Sequence, residues 1–185
     1  MKNNIKVVID IDDTIIDLLG AWCKWLNDTY DLNIQPEDVK EWDMKKTFYM
    51  LSEKQIYKPL NDSVFWKTVE PKAGSAEYIN KLIDYGYDVY LCTATSYKNV
   101  WTKYVDIIQR YFPFITWDKV IITSNKQMVR CNVMIDDGVH NLIGADCCRI
   151  LMDAPHNRDC DLEKDELYRF NNWKDIYEFI VMTYI

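Results

Sequence analysis

The sequence predicts an α/β fold, a Rossmann-like parallel sheet sandwiched by helices, with a small helical cap inserted after the first strand. Short apolar runs rich in β-branched residues are typical of strands that are buried on both faces of a parallel sheet. Such runs occur at 6–11, 88–93, 119–123, 132–136 and 149–152. Helical patterns separate them, so the order of elements indicates βαβ units with right-handed crossovers.

Three helical patterns belong to this alternation. The pattern at 75–86 ends at a glycine, which suits the position just after a helix. The pattern at 99–112 stops before Pro113, and proline rarely continues a helix. The pattern at 171–184 begins with asparagines that can cap it, and it carries an apolar stripe.

The interval from Asp17 to Pro71 breaks the alternation. It contains no convincing strand pattern, but it has helical stretches at 18–30, after Pro36 and at 51–60, and it is rich in aromatic residues. No Pro/Gly-rich linker bounds it, so we expect a cap that packs over one end of the sheet. The prediction therefore divides the chain into a core of residues 1–16 and 72–185 and a cap of residues 17–71.

Composition excludes several classes of protein. A chain of 185 residues with 49% hydrophobic content can bury one core that carries an insertion. The net charge of −7 argues against a surface that binds a nucleic-acid polymer or an anionic membrane, since both need clustered Lys and Arg. Neither a membrane span nor a signal peptide is readable, so we expect a cytoplasmic protein whose partner is a small molecule and whose six cysteines are reduced.

Polar side chains follow four of the predicted strands at the points where they end. In an open parallel sheet these ends meet at one edge, where ligands bind. In chain order the residues are Asp10, Asp12 and Asp13, then Thr93, Thr95 and Ser96, then Lys126, then Asp136 and Asp137. Several carboxylates, hydroxyls and one ammonium group together make a site for a divalent cation and a phosphate.

The expected chemistry explains the crowded carboxylates. They repel one another unless a cation compensates them, and Mg²⁺ fits because it takes hard oxygen ligands, often one or two carboxylates with a substrate phosphate. Asp10 and Asp137 can supply the carboxylates, and a backbone carbonyl at Asp12 can add an oxygen. With the metal and Lys126 drawing charge from the phosphoryl oxygens, and Thr93 hydrogen-bonding one of them, an aspartate can attack phosphorus and form an aspartyl-phosphate.

The run DIDDT at 10–14 resembles the DxDxT signature of haloacid dehalogenase-like (HAD-like) phosphatases. Thr93, Lys126 and the pair Asp136/Asp137 resemble the second, third and fourth motifs of those enzymes, in the right order. The signature leaves the position of Asp13 free, and we expect a solvated turn residue there.

This resemblance implies a role for each matching residue. Asp10 is the expected nucleophile, and Asp12 is the expected acid/base, which protonates the leaving group and later deprotonates water. The implied phosphate ligands are Thr93, Ala94 and Lys126. The implied Mg²⁺ ligands are Asp10, Asp12 and Asp137, with Asp136 in support.

A narrower resemblance covers most of the chain. The stretches 51–82, 91–96 and 154–176, and the ten-residue interval from Lys126 to Asp136, resemble the 5'(3')-deoxyribonucleotidase family. Those enzymes dephosphorylate deoxyribonucleoside monophosphates and carry a small helical cap between their first and second motifs. The resemblance implies a nucleotide substrate and Mg²⁺, and a homodimer is a further expectation.

Four residues are candidates for a nucleobase pocket, since aromatic faces stack on bases of any identity. They are Leu18, Trp42, Phe65 and Trp66. Leu18 stands where related enzymes have an aromatic residue, and Ala94 stands where some have serine. For the three aromatic residues, packing between cap and core is an equally good interpretation. His140 and His156 show no partner pattern, so neither is assigned a role.

Two other interpretations stay open at this point. The same fold and chemistry can serve a sugar phosphate or another small phosphomonoester, and the cap decides between these substrates. A signalling receiver domain also gathers acidic residues, a threonine and a lysine at the edge of a parallel sheet. In receivers the acidic pair comes first in the sequence, whereas Asp136 and Asp137 follow Lys126 here.

Overall fold

The computed structural model describes residues 5–184, so residues 1–4 and 185 of the predicted core lie outside the described chain. Six parallel strands form one sheet in the order β3-β2-β1-β4-β5-β6, which confirms the predicted α/β fold. The strands are β1 Lys6–Ile9, β2 Asp88–Thr93, β3 Val120–Ile122, β4 Val133–Asp136, β5 Cys148–Met152 and β6 Tyr168–Phe170. Only β6, a short edge strand, was not predicted.

The central strand β1 lies between β2 and β4, with Ile9 opposite Leu91 on one side and Ile135 on the other. Successive residues of a strand point to opposite faces of the sheet. Val7 and Ile9 therefore pack in the larger apolar cluster, and Val8 packs in a smaller one on the other face. Both faces of β1 are buried, as its continuous apolar run predicts.

The larger cluster is covered by α5 Ser75–Tyr85, α8 Trp173–Thr183 and the helix that follows β2. That helix begins as α6 Val100–Thr102 and continues as a π-helical segment, Lys103–Gln109. The smaller cluster is covered by α7 Val139–Leu142 and the loop through Leu167. No helix within residues 5–184 combines the length and the apolar character needed to cross a membrane.

The interval predicted as a cap is helical. It contains α1 Leu18–Tyr30, α2 Met44–Thr47, α3 Glu53–Ile56 and α4 Ser63–Trp66, with 3₁₀ turns at Pro36–Asp38 and Pro59–Asn61. Its two ends lie side by side: the Asp17 amide donates to the Glu70 carbonyl, and the Lys72 amide donates to the Ile15 carbonyl, each at 2.9 Å. These bonds support our proposal that residues 17–71 are a cap inserted into one core.

The cap and the sheet share one apolar cluster. Leu26, Phe48 and Phe65 from the cap belong to the same buried cluster as Ile9 and Phe112. Burial of apolar surface stabilises the assembly by roughly 25 cal/mol per Å². The cap is therefore packed onto the core and is not a separately folded unit on a linker.

The first turn of α8 is bonded to the signature loop. Trp173 is buried, and its Nε1 donates to the backbone carbonyl of Thr14 at 3.1 Å. Trp173→Phe keeps a ring but leaves that buried carbonyl without its donor, so we expect a loss of about 1–3 kcal/mol in the free energy of unfolding. Urea unfolding would measure this loss.

Trp101→Phe is the matched control for that measurement, because Trp101 is largely exposed. We expect it to change the unfolding free energy by less than about 0.5 kcal/mol. Equal stabilities for the two variants would show that the bond to Thr14 does not hold α8 against the loop.

Candidate active site

Five of the predicted site residues meet at the carboxyl edge of the sheet. Asp10 follows β1, Thr93 ends β2, Asp136 ends β4 and Asp137 comes next, while Lys126 begins a 3₁₀ turn after β3. All five are at most 5% exposed. The Asp10 amide donates to the Ile135 carbonyl at 2.8 Å, so pairing of β1 with β4 places the first and fourth motifs side by side.

Lys126 bridges two of the carboxylates. Its Nζ contacts Asp10 Oδ1 and donates to Asp136 Oδ2 at 2.7 Å. Burial alone would lower the pKa of Lys126, but the charges of Asp10 and Asp136 outweigh burial and raise it. The lysine is therefore a permanent cation at the centre of the site.

Asp136 and Asp137 have different surroundings. Asp136 Oδ1 accepts from the Gly138 amide at 2.8 Å and from Asn141 Nδ2 at 2.9 Å, and its Oδ2 accepts from Lys126. Asp137 Oδ1 accepts from Thr14 Oγ1 at 3.3 Å, whereas its Oδ2 is buried without a hydrogen-bond partner within the described residues. Asp136 is thus held by protein donors, whereas Asp137 Oδ2, which lies 3.1 Å from His156 Nε2, accepts no hydrogen bond within the described residues.

The three buried carboxylates fit a divalent cation. One oxygen each from Asp10, Asp136 and Asp137 lie within 4.8 Å of one another. Burial and the neighbouring Asp136 charge raise the pKa of Asp10, and the same causes raise the pKa of Asp137 to about 8. A hard cation would relieve this repulsion, and carboxylate oxygens are the ligands that such a cation prefers.

Next to this cluster lies a cavity of about 380 Å³. The carboxyl edge of the sheet contributes Asp10, Asp12, Ala94, Lys126 and Asp137 to the cavity wall. The cap contributes Leu18, Trp42 and Leu60. Of the residues predicted to contact phosphate or base, Thr93, Phe65 and Trp66 do not line it. Phe65 and Trp66 are cap residues that are buried in the apolar cluster shared with the sheet.

Asp13 lies in a turn, as we expected, but it is less solvated than we expected. It is half-buried on the cavity wall, with φ of 53°, and its Oδ1 accepts from the Leu19 amide at 2.8 Å. Burial, followed by the Asp137 charge, raises its pKa to about 7. The carboxylate therefore bonds the signature loop to the start of α1.

Two histidines on the cavity wall had no signal in the sequence. Trp42 contacts both rings edge-on, with centroids 4.8 Å from His140 and 5.0 Å from His156. His156 Nε2 lies 3.1 Å from Asp137 Oδ2 without the geometry of a hydrogen bond, and burial lowers the pKa of this histidine. His140 lies in α7 and His156 lies in the turn after β5, so no spacing pattern could predict their meeting.

Comparison with known proteins decides the family. The model of the family described as "5' nucleotidase, deoxy (Pyrimidine), cytosolic type C protein" matches residues 3–184. The chain belongs to this family. The resemblance to deoxyribonucleotidases is thereby confirmed, and the chain is a hydrolase of phosphoric monoesters, not a receiver domain.

Sequence similarity to individual deoxyribonucleotidases supports the same family assignment. The 5'(3')-deoxyribonucleotidase of Bacillus subtilis strain 168 is 32% identical over 171 residues, which cover 92% of this chain and 95% of that protein. The 5'(3')-deoxyribonucleotidase of Clostridium acetobutylicum is 31% identical over 174 residues, which cover 92% of each chain.

Solved structures support the HAD-like fold of this deoxyribonucleotidase family member. A HAD family hydrolase from Deinococcus radiodurans with bound phosphate and sodium has a TM-score of 0.70 at 12% identity, over 98% of this chain and 97% of that one. A HAD-hydrolase from Bacillus subtilis bound to magnesium has a TM-score of 0.60 at 14% identity, over 97% and 99%. At these identities the likeness concerns the fold.

The raised pKa values predict how pH affects the metal-free protein. An aspartate with a raised folded-state pKa stabilises the fold most below its ordinary pKa of 3.8, and this contribution is lost as pH rises through the folded-state value, about 8 for Asp137 and about 7 for Asp13. We therefore expect the Tm in EDTA to fall between about pH 5.5 and pH 8.5.

The stabilisation by a bound metal should depend on pH in the opposite direction, increasing as pH rises. Since only deprotonated carboxylates bind a cation, the rise in Tm caused by Mg²⁺ should be larger at about pH 8.5 than at about pH 5.5. Thermal unfolding with and without metal measures this, and Asp137→Asn is the control in which the rise should shrink. A metal-induced rise of the same size at both pH values would contradict the assignment.

Proposed function

We propose that the protein is a Mg²⁺-dependent phosphatase that hydrolyses deoxyribonucleoside 5'- and 3'-monophosphates through an aspartyl-phosphate. One observation carries the proposal: Lys126 and three buried carboxylates stand at one end of a cavity whose other wall is an aromatic cap. The names of the relatives support the substrate class. A cytoplasmic location and a homodimer stay predictions.

Asp10 is placed to act as the nucleophile. Its Oδ1 is held by Lys126, and its Oδ2 lies 3.5 Å from Thr14 Oγ1. In the first step a carboxylate oxygen of Asp10 bonds to phosphorus while the bond from phosphorus to the nucleoside oxygen breaks. In the second, water attacks the aspartyl-phosphate and Asp10 is regenerated.

The negative charges of the phosphoryl group and of Asp10 must be offset for this attack. Lys126, on the cavity wall, supplies one positive charge, and Ala94 lines the same cavity. A bound divalent cation would supply further charge neutralisation at phosphoryl oxygens. The residues that would hold it are Asp10, Asp137 and the Asp12 backbone carbonyl, with Asp136 fixing Lys126 in place.

Asp12 is the acid/base in this scheme. It lines the cavity two residues beyond Asp10, and its side chain is 28% exposed. In the first step it protonates the nucleoside oxygen that leaves phosphorus. In the second step it takes a proton from the attacking water, which returns it to its starting state.

The nucleobase is bound by the cap wall of the cavity. Trp42 is 57% exposed and Leu18 lines the same cavity, so both present apolar surface to a ligand. The Trp42 ring is braced by His140 and His156, which limits its rotation. Phe65 and Trp66 lie behind this wall and support it by packing.

The first test is phosphate release from 5'- and 3'-deoxyribonucleotides, ribonucleotides and sugar phosphates, with Mg²⁺ and then with EDTA. We expect metal-dependent release that favours deoxyribonucleotides. Asp10→Asn should reduce turnover by at least about 10⁴-fold while the protein still folds and binds inorganic phosphate. Metal-dependent release from sugar phosphates alone would keep the chemistry and overturn the substrate class.

Trp42→Ala tests the base site. Loss of stacking worth about 1–3 kcal/mol should raise KM for a deoxyribonucleotide roughly 5–150-fold, with much less effect on an aryl phosphate that lacks a base. Trp101→Ala is the control, because Trp101 is exposed and does not line the cavity. An equal rise of KM for both substrates would assign Trp42 to packing.

A further inference from the structure

Lys103 is a buried lysine that the mechanism above does not use. Among the lysines within residues 5–184, only Lys103 and Lys126 are buried. The Lys103 Nζ donates to Asp12 Oδ2 and, at 3.1 Å, to Thr93 Oγ1. A buried ammonium group needs polar partners in place of water. Both partners of Lys103, Asp12 and Thr93, lie at the carboxyl edge of the sheet.

The two oxygens of Asp12 differ because of this lysine. Oδ2 is bonded to Lys103, whereas Oδ1 is buried and has no hydrogen-bond partner within the described residues. We propose that Lys103 is a positioning residue: by holding Oδ2 it fixes the orientation of the Asp12 carboxyl group that transfers the proton. This inference rests on the acid/base role proposed above for Asp12.

The proton transfers balance at Asp12. Its carboxyl group gives a proton to the nucleoside oxygen as the bond from that oxygen to phosphorus breaks and the Asp10 bond to phosphorus forms. The carboxylate then takes a proton from water as the water oxygen bonds to phosphorus and the Asp10 bond breaks. Lys103 takes no part in either transfer, since its role is to fix Oδ2.

The cap completes the surroundings of Lys103. Its Nζ lies 5.2 Å from the centroid of the Trp66 ring, a cation–π contact. Trp66 Nε1 donates to the Leu60 carbonyl at 3.0 Å, and Asn99 Nδ2 donates to the same carbonyl at 2.8 Å. Leu60 lines the cavity. The cap is therefore bonded to the helix that carries Lys103, and Trp66 covers the lysine.

The backbone at Lys103 is also unusual. The chain changes from α-helical to π-helical geometry at this residue, and Lys103, Ile107 and Ile108 are all buried from the π-helical segment. Such wide turns are rare and occur frequently at functional sites. Here the isoleucines pack in the core, while the lysine reaches the sheet edge.

The experiment compares two substrates that differ in their need for an acid. Thymidine 5'-monophosphate releases an alkoxide, which must be protonated, whereas p-nitrophenyl phosphate releases a phenolate that leaves without a proton. Single-turnover release of thymidine or nitrophenol, with enzyme and Mg²⁺ in excess, isolates the first step. Lys103→Met removes the ammonium group and keeps a side chain of similar length.

The matched control is Lys119→Met. Lys119 has the same kinds of partner, the Asp88 carboxylate at 2.5 Å, the Tyr90 hydroxyl at 3.2 Å and the Tyr90 ring at 4.3 Å. Asp88 begins β2, so this lysine lies at the opposite edge of the sheet. We expect Lys119→Met to leave the rates for both substrates unchanged.

For Lys103→Met we expect thymidine release to slow by about 10–100-fold, part of what a general acid contributes, and nitrophenol release to slow less than about threefold. KM for both substrates should stay within about threefold of wild type. In an Asp12→Asn background, Lys103→Met should slow thymidine release by less than a further threefold or so, because the two residues act as one unit. Lys103→Arg keeps the charge, so it should slow thymidine release less than Lys103→Met does.

Three results would overturn the inference. Equal slowing of both substrates would make Lys103 structural, and a large rise in KM at unchanged rate would make it a phosphate ligand. If Lys103→Met slows thymidine release as much in the Asp12→Asn background as in wild type, Lys103 acts independently of Asp12. If Lys103→Met does not fold, the same comparison of substrates applies to Lys103→Arg.

Failure of the proposed function would look different. Wild-type protein that releases phosphate from neither substrate, or Asp12→Asn with normal thymidine release, would overturn the acid/base scheme itself. Active wild-type protein, an impaired Asp12→Asn and a Lys103→Met variant equal to wild type would overturn only the role of Lys103.

Discussion

Repulsion between buried carboxylates is the constraint on which the rest of the structure depends. Asp10, Asp136 and Asp137 carry like charges within a few ångströms, away from water, and such an arrangement is unfavourable unless cations and donors offset it. Lys126 offsets part of it through two carboxylates. The strand order brings the three residues together, since β1 pairs directly with β4. The negative charge that remains unbalanced favours the binding of a cation at this edge.

The surrounding elements keep this arrangement in place. Thr14 bonds to Asp137, Trp173 bonds to the Thr14 carbonyl, and Asn157 Nδ2 donates to the Asp137 carbonyl at 2.9 Å. The signature loop is thereby tied to the last helix and to the turn after β5. The like-charged carboxylates are thus held together by hydrogen bonds between segments that are far apart in the sequence. The geometry of the carboxyl edge therefore depends on the whole core.

Sequence reasoning predicts the parts of this molecule that follow from simple rules. Buried strands read as apolar runs, and their carboxyl ends meet, which is why Asp10, Lys126 and Asp137 could be placed together. The strand Tyr168–Phe170 was missed because its central residue is Arg169, which bonds to Asp153 at 2.7 Å. An arginine between two aromatics gives no apolar run.

Lys103 shows a different limit. In the sequence it is one lysine among others in a helical pattern, and such residues are usually solvated. Its burial results from π-helical turns that a short pattern cannot distinguish from α-helical ones, and from a tryptophan that reaches it from the cap. Meetings between distant segments, like that of Trp42 with two histidines, depend on packing that sequence spacing does not encode.

The hydrogen bonds that join the two ends of the cap have an evolutionary consequence. Because the chain leaves the core at Asp17 and rejoins it beside the same point, an insertion there of another length would not shift the register of the sheet. If the cap selects the substrate as proposed, a changed insertion alters substrate choice and leaves the residues at the sheet edge in place. The apolar surface shared with Ile9 and Phe112 limits this freedom, since any replacement must cover it.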